Sequence, residues 1–290
     1  MAEARHIIVG DVHGMRPELE ALVVKVGLTL DDTLVFVGDL VDKGPDSAGV
    51  VGFARSLREK GFTVVLVEGN HEEKHSRFRT ALEKGGEKAT KKFRGVEELA
   101  SITEALSPED VAFLDTAVPF HRIPEHGAVV LHGGVTGDMT ELDATDKGLI
   151  SRLLRTRHLR GKPEVKITVE FVMDHEAEGF DPEAEVTPDM LGTGTVLRKQ
   201  VKPAGGFLSL GTEGPDDPFW AEVYDGRFGH VFFGHSPFLD GVKHFDHATG
   251  LDTGCVFGGT LTAAILAEGE ETSFVSVPAS GKFSKTFWED

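Results

Sequence analysis

The chain has 290 residues, enough for one large domain or two small ones, and 40% of them are hydrophobic, which supplies a substantial core. Its 48 acidic against 30 basic residues give a formal net charge of −18, which repels phosphate backbones over most of the surface and excludes broad non-specific nucleic-acid binding. Cys255 is the single cysteine, so an intrachain disulfide and a thiolate-rich zinc or iron–sulfur site are excluded, in keeping with a reducing cytoplasm.

At the N-terminus, MAEARHIIVG has too short an apolar run for a signal peptide. No later segment approaches the roughly 20 apolar residues of a membrane span, so a soluble cytoplasmic protein without a membrane partner is expected. The first predicted strand is HIIVGD, followed by a helical pattern over Met15–Gly27; DTLVFVGD and a helix over Ser47–Gly61 follow, then FTVVLVEGNH. Both helices close on a glycine suited to a C-cap, and the alternation predicts βαβ units. Gly95–Val118 adds helix, with Ser107-Pro108-Glu109-Asp110 as a helix start. GAVVLHGG and HVFFGH read as two further buried strands. Between them, over 162–218, periodicity fades, and Thr168–Gly192 carries many carboxylates without Lys or Arg. An acidic cap or lid inserted into a single domain spanning 1–290 is expected there. The tail Gly250–Ala279 shows two alternating runs joined by a charged glycine turn, the pattern of a β-hairpin that starts a second sheet.

In open α/β sheets ligands collect at the carboxyl ends of strands, which makes the polar groups after these apolar runs the candidates for chemistry. They are Asp11 and His13 in GDVHG, Asp39 and Asp42 in GDLVDKG, Asn70 and His71 in GNHE, His132 in LHGG and His235 in GHSP. Asp11 and His13, two residues apart on extended backbone, face the same side and can share one ion. Asp, His and Asn without Cys make an oxygen and nitrogen ligand set suited to Mn, Fe, Zn, Ni or Co. Six such residues are too many for one tetrahedral zinc and suit two ions about 3.5–4 Å apart that share a carboxylate.

Five motifs in this order, spread from Gly10 to His235, resemble the signature of the calcineurin-like metallophosphoesterases, specifically the phosphoprotein-phosphatase group. The tail LDTGCVFGGTLTA further resembles the bacterial symmetrical diadenosine tetraphosphatases and their phosphatase-like relatives. The resemblance implies an α/β (α+β) fold, a four-layer αββα sandwich with two mixed β-sheets. It implies two divalent ions, manganese foremost, with Asp11, His13 and Asp39 holding the first and Asp39, Asn70, His132 and His235 the second. It also implies a metal-bridging hydroxide that attacks phosphorus in line, His71 as general acid, and Asp42 as the carboxylate that orients and charges it. A cationic clamp on the phosphoryl oxygens falls to Lys43, where many phosphoprotein phosphatases carry arginine, and to Arg155 or Arg157 in SRLLRTRHLRG.

The substrate expected from the resemblance is a small nucleotide polyphosphate such as diadenosine tetraphosphate. The alternatives are a phosphoprotein bearing phosphoserine, phosphothreonine or phosphotyrosine, and a catalytically silent phosphate-binding module. His75 and the remaining histidines lack the glycine-flanked strand-end setting and are expected on the surface or in satisfied core positions. Glu72 and Glu73 are expected to start a helix. Cys255 lacks an arginine-closed phosphate loop and reads as a packed small apolar residue. Phe219, Trp220 and Tyr224 are expected to pack in the core or at its rim, with stacking on a nucleobase as the alternative. Asp252 is a candidate for shaping the site edge.

Overall fold

The computed structural model describes residues 4–161, 164–171, 195–202, 208 and 212–285. In chain order the elements are β1 (His6–Val9), α1 (Arg16–Val26), β2 (Thr33–Phe36), α2 (Ser47–Glu59), β3 (Thr63–Leu66), α3 (Asn70–Thr90), α4 (Val96–Ala105), α5 (Pro108–Leu114), β4 (Phe120–Ile123), β5 (Ala128–Leu131) and α6 (Lys147–Leu153). They continue with β6 (Glu164–Phe171), β7 (Thr195–Lys202), β8 (His230–Phe233), β9 (Lys243–Phe245), β10 (Ala248–Gly250), β11 (Thr260–Leu266) and β12 (Ser273–Pro278).

Two five-stranded mixed sheets result, ordered β12-β11-β1-β2-β3 and β4-β5-β8-β10-β9. The central strands β1, β2, β5 and β8 are apolar and buried over nearly their whole length because both faces of each sheet are covered there. In β1, Ile7 and Val9 face an outer core under α1 and α2, while Ile8 faces the second sheet. In β5 and β8, Val130 and Phe232 meet Ile8 and Val35 between the sheets, whereas Val129, Leu131, Val231 and Phe233 turn outward onto Leu149 and Leu153 of α6 and onto Trp220. Three apolar layers therefore separate helix, sheet, sheet and helix.

Local signals end the helices where the sequence places them. Gly27 takes φ 60° and closes α1 through its N–H to the carbonyls of Val23 and Val24. Asp46 caps α2 by accepting from the Gly49 N–H at 2.8 Å. Ser107 and Asp110 cap each other's backbone N–H at the start of α5.

The tail differs from expectation in one respect. β11 and β12 form the hairpin, yet they join the first sheet, with β11 antiparallel to β1 from His6↔Leu266 to Val9↔Ala263. The reason is that β11 is apolar on both faces, Leu261 and Ala263 toward the outer core and Ala264 and Leu266 toward the inner one, so it requires cover on both sides. Within 162–218, β6 and β7 pair antiparallel from Glu164↔Lys202 to Phe171↔Thr195. The acidic lid read over Thr168–Gly192 otherwise lies outside the described residues. Among the described residues no helix is long and apolar enough to cross a membrane.

Candidate active site

β1, β2 and β3 run parallel in the first sheet, and β5, β8 and β10 run parallel in the second. Their carboxyl ends open onto one crevice, where the predicted polar residues converge. Five non-glycine residues have positive φ among those described: His13 (45°), Asp39 (53°), Asp42 (69°), Lys43 (68°) and His235 (66°). All five belong to the candidate site. Such backbone costs on the order of 1–3 kcal/mol per residue and persists only where surrounding contacts enforce it.

Those contacts are visible. Glu72, in the first turn of α3, accepts from the backbone N–H of Asp39 at 2.7 Å, of Leu40 at 2.8 Å and of Gly69 at 3.0 Å. It thereby ties the β2 loop to the start of α3. The loops touch so closely that a Cβ at Gly69 would lie 2.2 Å from Asp39 Oδ1, and one at Gly234 would lie 2.0 Å from Asp11 Oδ1.

Two groups of side chains with the donor atoms to hold a metal ion meet at Asp39: His13, Asp39 and His71, and Asp39, His132 and His235, each with donor atoms within 4.8 Å of one another. Asp11 joins the first, its Oδ2 4.0 Å from His13 Nε2, and its carboxylate accepts from the His235 N–H at 3.0 Å. Asn70 joins the second, its Oδ1 3.0 Å from His132 Nε2. All six sequence-predicted ligands thus lie in one continuous cluster.

The donor chemistry fits divalent cations. His13 Nδ1 faces the Val41 carbonyl at 2.8 Å and His132 Nδ1 faces the Val37 carbonyl at 2.9 Å, so each Nδ1 carries the proton and each Nε2 presents a lone pair. The bare Nε2 of His132 then faces two further acceptors, Asn70 Oδ1 and Asp39 Oδ2, the latter at 3.3 Å. Acceptors that converge in this way suit a cation between them. At His13 a cation is present, because Lys43 Nζ lies 2.8 Å from Nε2. At His235, Nε2 is buried with no hydrogen-bond partner among the described residues.

The electrostatics follow from this crowding. Burial and then Lys43 hold His13 well below the usual imidazole range, and burial and then Arg157 do so for His235, which keeps both neutral. Burial, Asp252 and Asp39 push Asp11 well above the carboxylate range. Asp39 goes the other way: burial opposes its charge, but the neighbouring imidazoles, His132 first and then His71, outweigh it and hold the carboxyl far down.

His71 is tied differently from the other imidazoles. Its Nδ1 meets Asp42 Oδ2 at 2.6 Å, and its Nε2 points into the crevice, 3.8 Å from Asp39 Oδ2. Its side chain is 16% exposed, against 2% or less for His13 and His132. The other oxygen of Asp42 accepts from His75 Nε2, also at 2.6 Å. Burial opposes the Asp42 charge, and the two imidazoles overcome that and hold the carboxyl far below its ordinary value. His75 is fully buried, one of the expected satisfied core positions, and its partner is a residue of the site. Its signal was spacing: His71 and His75 are i and i+4 on α3 and share a face.

The cations divide. Arg155 pairs with Glu73 of α3 at 2.7 Å, while Arg157 donates to the His235 carbonyl at 2.7 Å. Burial lowers Arg157, against the charges of Asp252, Asp39 and Asp11. Asp252, buried beyond β10, is raised by burial against the pull of Lys43, which places it among the charged groups of the crevice. Cys255 is buried in the outer core, and burial pushes its thiol far up, as befits a packing residue. Trp220 and Tyr224 are core residues of the second sheet.

Two parallel strand sets that close an Asp, His and Asn cluster between two sheets define a metal-dependent phosphoesterase. The chain belongs to the calcineurin-like phosphoesterase family, whose model matches residues 4–239. Its members are hydrolases of phosphate ester or anhydride bonds that use divalent metal ions. The chain is 30% identical over 291 residues to the asymmetrical bis(5'-nucleosyl)-tetraphosphatase PrpE of Bacillus subtilis (strain 168), covering 94% of each protein. It is 28% identical over 272 residues to the symmetrical bis(5'-nucleosyl)-tetraphosphatase of Cellvibrio japonicus (strain Ueda107), covering 90% of this chain and 95% of the relative. A solved structure assigned as a diadenosine tetraphosphatase superimposes with TM-score 0.62 at 27% identity, over 97% of this chain and 100% of that one. A Saccharomyces cerevisiae serine/threonine phosphatase shares the fold, with TM-score 0.52 at 17% identity over 96% of this chain and 81% of that one.

Proposed function

We propose that this chain is a dinuclear-metal phosphohydrolase that cleaves nucleotide polyphosphates such as diadenosine tetraphosphate. The observation that carries the chemistry is the pair of ligand groups sharing Asp39. The substrate class rests on relatives named bis(5'-nucleosyl)-tetraphosphatases that align over nearly the whole chain. Asp11, His13 and Asp39 would hold one divalent ion, and Asp39, Asn70, His132 and His235 would hold the other. Bound there, the ions supply neutralisation of phosphoryl charge and activation of water for in-line attack.

The chain's own residues do the rest. His71 donates its Nε2 proton to the leaving oxygen; Asp42 at Nδ1 stabilises the imidazolium and aims the ring, a role that backbone carbonyls play at His13 and His132 for neutral rings. His75 holds the second Asp42 oxygen, so the carboxylate cannot rotate away from His71. Arg157, anchored on His235, stands where phosphoryl oxygens approach the ligand cluster, and Lys43 adds a second positive charge within it. Glu72 holds the Asp39 turn in its strained form.

Turnover of diadenosine tetraphosphate against a phosphopeptide, both under Mn²⁺, tests the substrate class. Preferred cleavage of the dinucleotide is expected. Phosphopeptide hydrolysis with no dinucleotide cleavage would overturn it.

A further inference from the structure

Beside the metal-ligand cluster lies a cavity of about 260 Å³, whose lining includes Arg157, Phe219, Ser236, Phe238 and Phe245 together with the charged Glu222 and Lys243. We propose that it is a nucleobase subsite, which holds the base of the nucleoside next to the phosphate chain; this rests on the nucleotide reading above. Four observations point there.

The cavity is continuous with the site. Ser236 follows His235 in sequence, and Arg157 lines the cavity while donating to the His235 carbonyl. Arg157 therefore touches both the cluster and the cavity. A phosphate chain seated at the cluster passes Arg157 before the sugar and base follow.

The walls suit a flat ring. Phe219 and Phe245 stack on each other at 5.5 Å and 23°, and Phe238 meets Phe219 edge-on at 5.9 Å, so the three form one aromatic wall. All three are only half-buried, unlike the neighbouring Trp220, which is fully buried. Aromatic faces bind bases of any sequence because every base offers a π-face.

The cavity also holds a polar group in need of a partner. Ser236 is buried, and its Oγ has no hydrogen-bond partner among the described residues. A base carries ring nitrogens and exocyclic groups that supply one, together with a flat face for the aromatic wall. A phosphotyrosine ring fits the walls but is joined directly to the attacked phosphate, leaving no phosphate chain to pass Arg157. Size agrees: pockets that bury drug-sized ligands run to about 300–1,000 Å³, so this one takes a single ring system rather than a whole dinucleotide.

The test measures binding, apart from turnover. Calorimetry on the Mn²⁺-loaded protein compares AMP with ribose 5-phosphate, which lacks the base, in the wild type, in Phe245→Leu, which keeps apolar volume without the ring, and in Ser236→Ala. The wild type is expected to bind AMP about tenfold or more tightly than ribose 5-phosphate, Phe245→Leu to lose most of that ratio, and Ser236→Ala to lose a smaller part of it. If Phe245→Leu fails to fold, Ser236→Ala decides. Equal affinity of the wild type for the two ligands overturns the subsite, as does an unchanged ratio in the folded variants. A base-dependent ratio in a protein that does not cleave diadenosine tetraphosphate keeps the subsite and removes the proposed reaction; cleavage with no base dependence does the reverse.

Discussion

The loops of the first sheet and those of the second meet over the same carboxylate, Asp39, yet they are built on different plans. On the first-sheet side, polar groups satisfy one another: Glu72 binds three backbone N–H groups, and Asp42 is gripped by His71 and His75. Four of the five positive-φ side chains, His13, Asp39, Asp42 and Lys43, lie there. On the second-sheet side, His235 Nε2 and Ser236 Oγ are buried without partners among the described residues, and a partly open aromatic cavity adjoins them. One half is preorganised and closed on itself, as transition-state chemistry demands, and the other is receptive, as ligand binding demands.

That contrast is broken most severely at the shared carboxylate. Asp39→Asn keeps an acceptor for the His71 N–H but loses the charge both ligand groups use, and kcat is expected to fall by about 10³-fold or more. His71→Asn removes the proton donor alone; a fall of roughly 10²–10⁴-fold in kcat with metal content unchanged is expected, and steady-state kinetics beside metal analysis separates it from Asp39→Asn. His75→Ala probes how far preorganisation matters. A hydrogen bond to a charged group contributes about 1.5–3 kcal/mol, so kcat is expected to fall by no more than about ten- to hundred-fold. His75→Gln, whose amide can reach Asp42, is expected to recover most of it; a loss that Gln does not recover would mean that the ring merely fills space.

The smallest effect on catalysis is expected at the opposite end of β2. Asp32, buried, accepts from Arg5 and from Thr29, and despite burial these partners lower its carboxyl to about 2 from 3.8. Because the folded value is depressed, the stabilisation is present above about pH 4 and is lost as pH falls toward 2. Asp32→Asn is expected to cost about 2 kcal/mol at pH 7 with kcat unchanged, and urea unfolding should show the gap between variant and wild type closing below pH 4.

The same contrast explains what was legible in the sequence. Each candidate ligand sits directly after an apolar run and beside a glycine, so Asp11, His13, Asp39, Asn70, His132 and His235 announce themselves by local context, and family resemblance supplies their order. The strands were legible because two-sided burial writes continuous apolar runs. The place of the tail hairpin was not, since alternation marks β11 and β12 as a hairpin without saying which edge they join, and only the packing of Ala264 and Leu266 between the sheets decides it. His75 and Glu72 were overlooked as members of the site for a related reason: their partners, Asp42 and the Asp39 turn, lie 33 residues or so away, and nothing in the short motif states that contact. The cavity was least legible, because Arg157, Phe219, Ser236 and Phe245 come from separate segments that only the second sheet brings together.

The most direct test of the shared carboxylate is metal stoichiometry, measured by elemental analysis after Mn²⁺ loading and removal of free ion. Two ions per wild-type chain and a loss from both positions in Asp39→Asn are predicted. An Asp39→Asn protein that still retains two ions, or a wild type that retains none, would contradict the account.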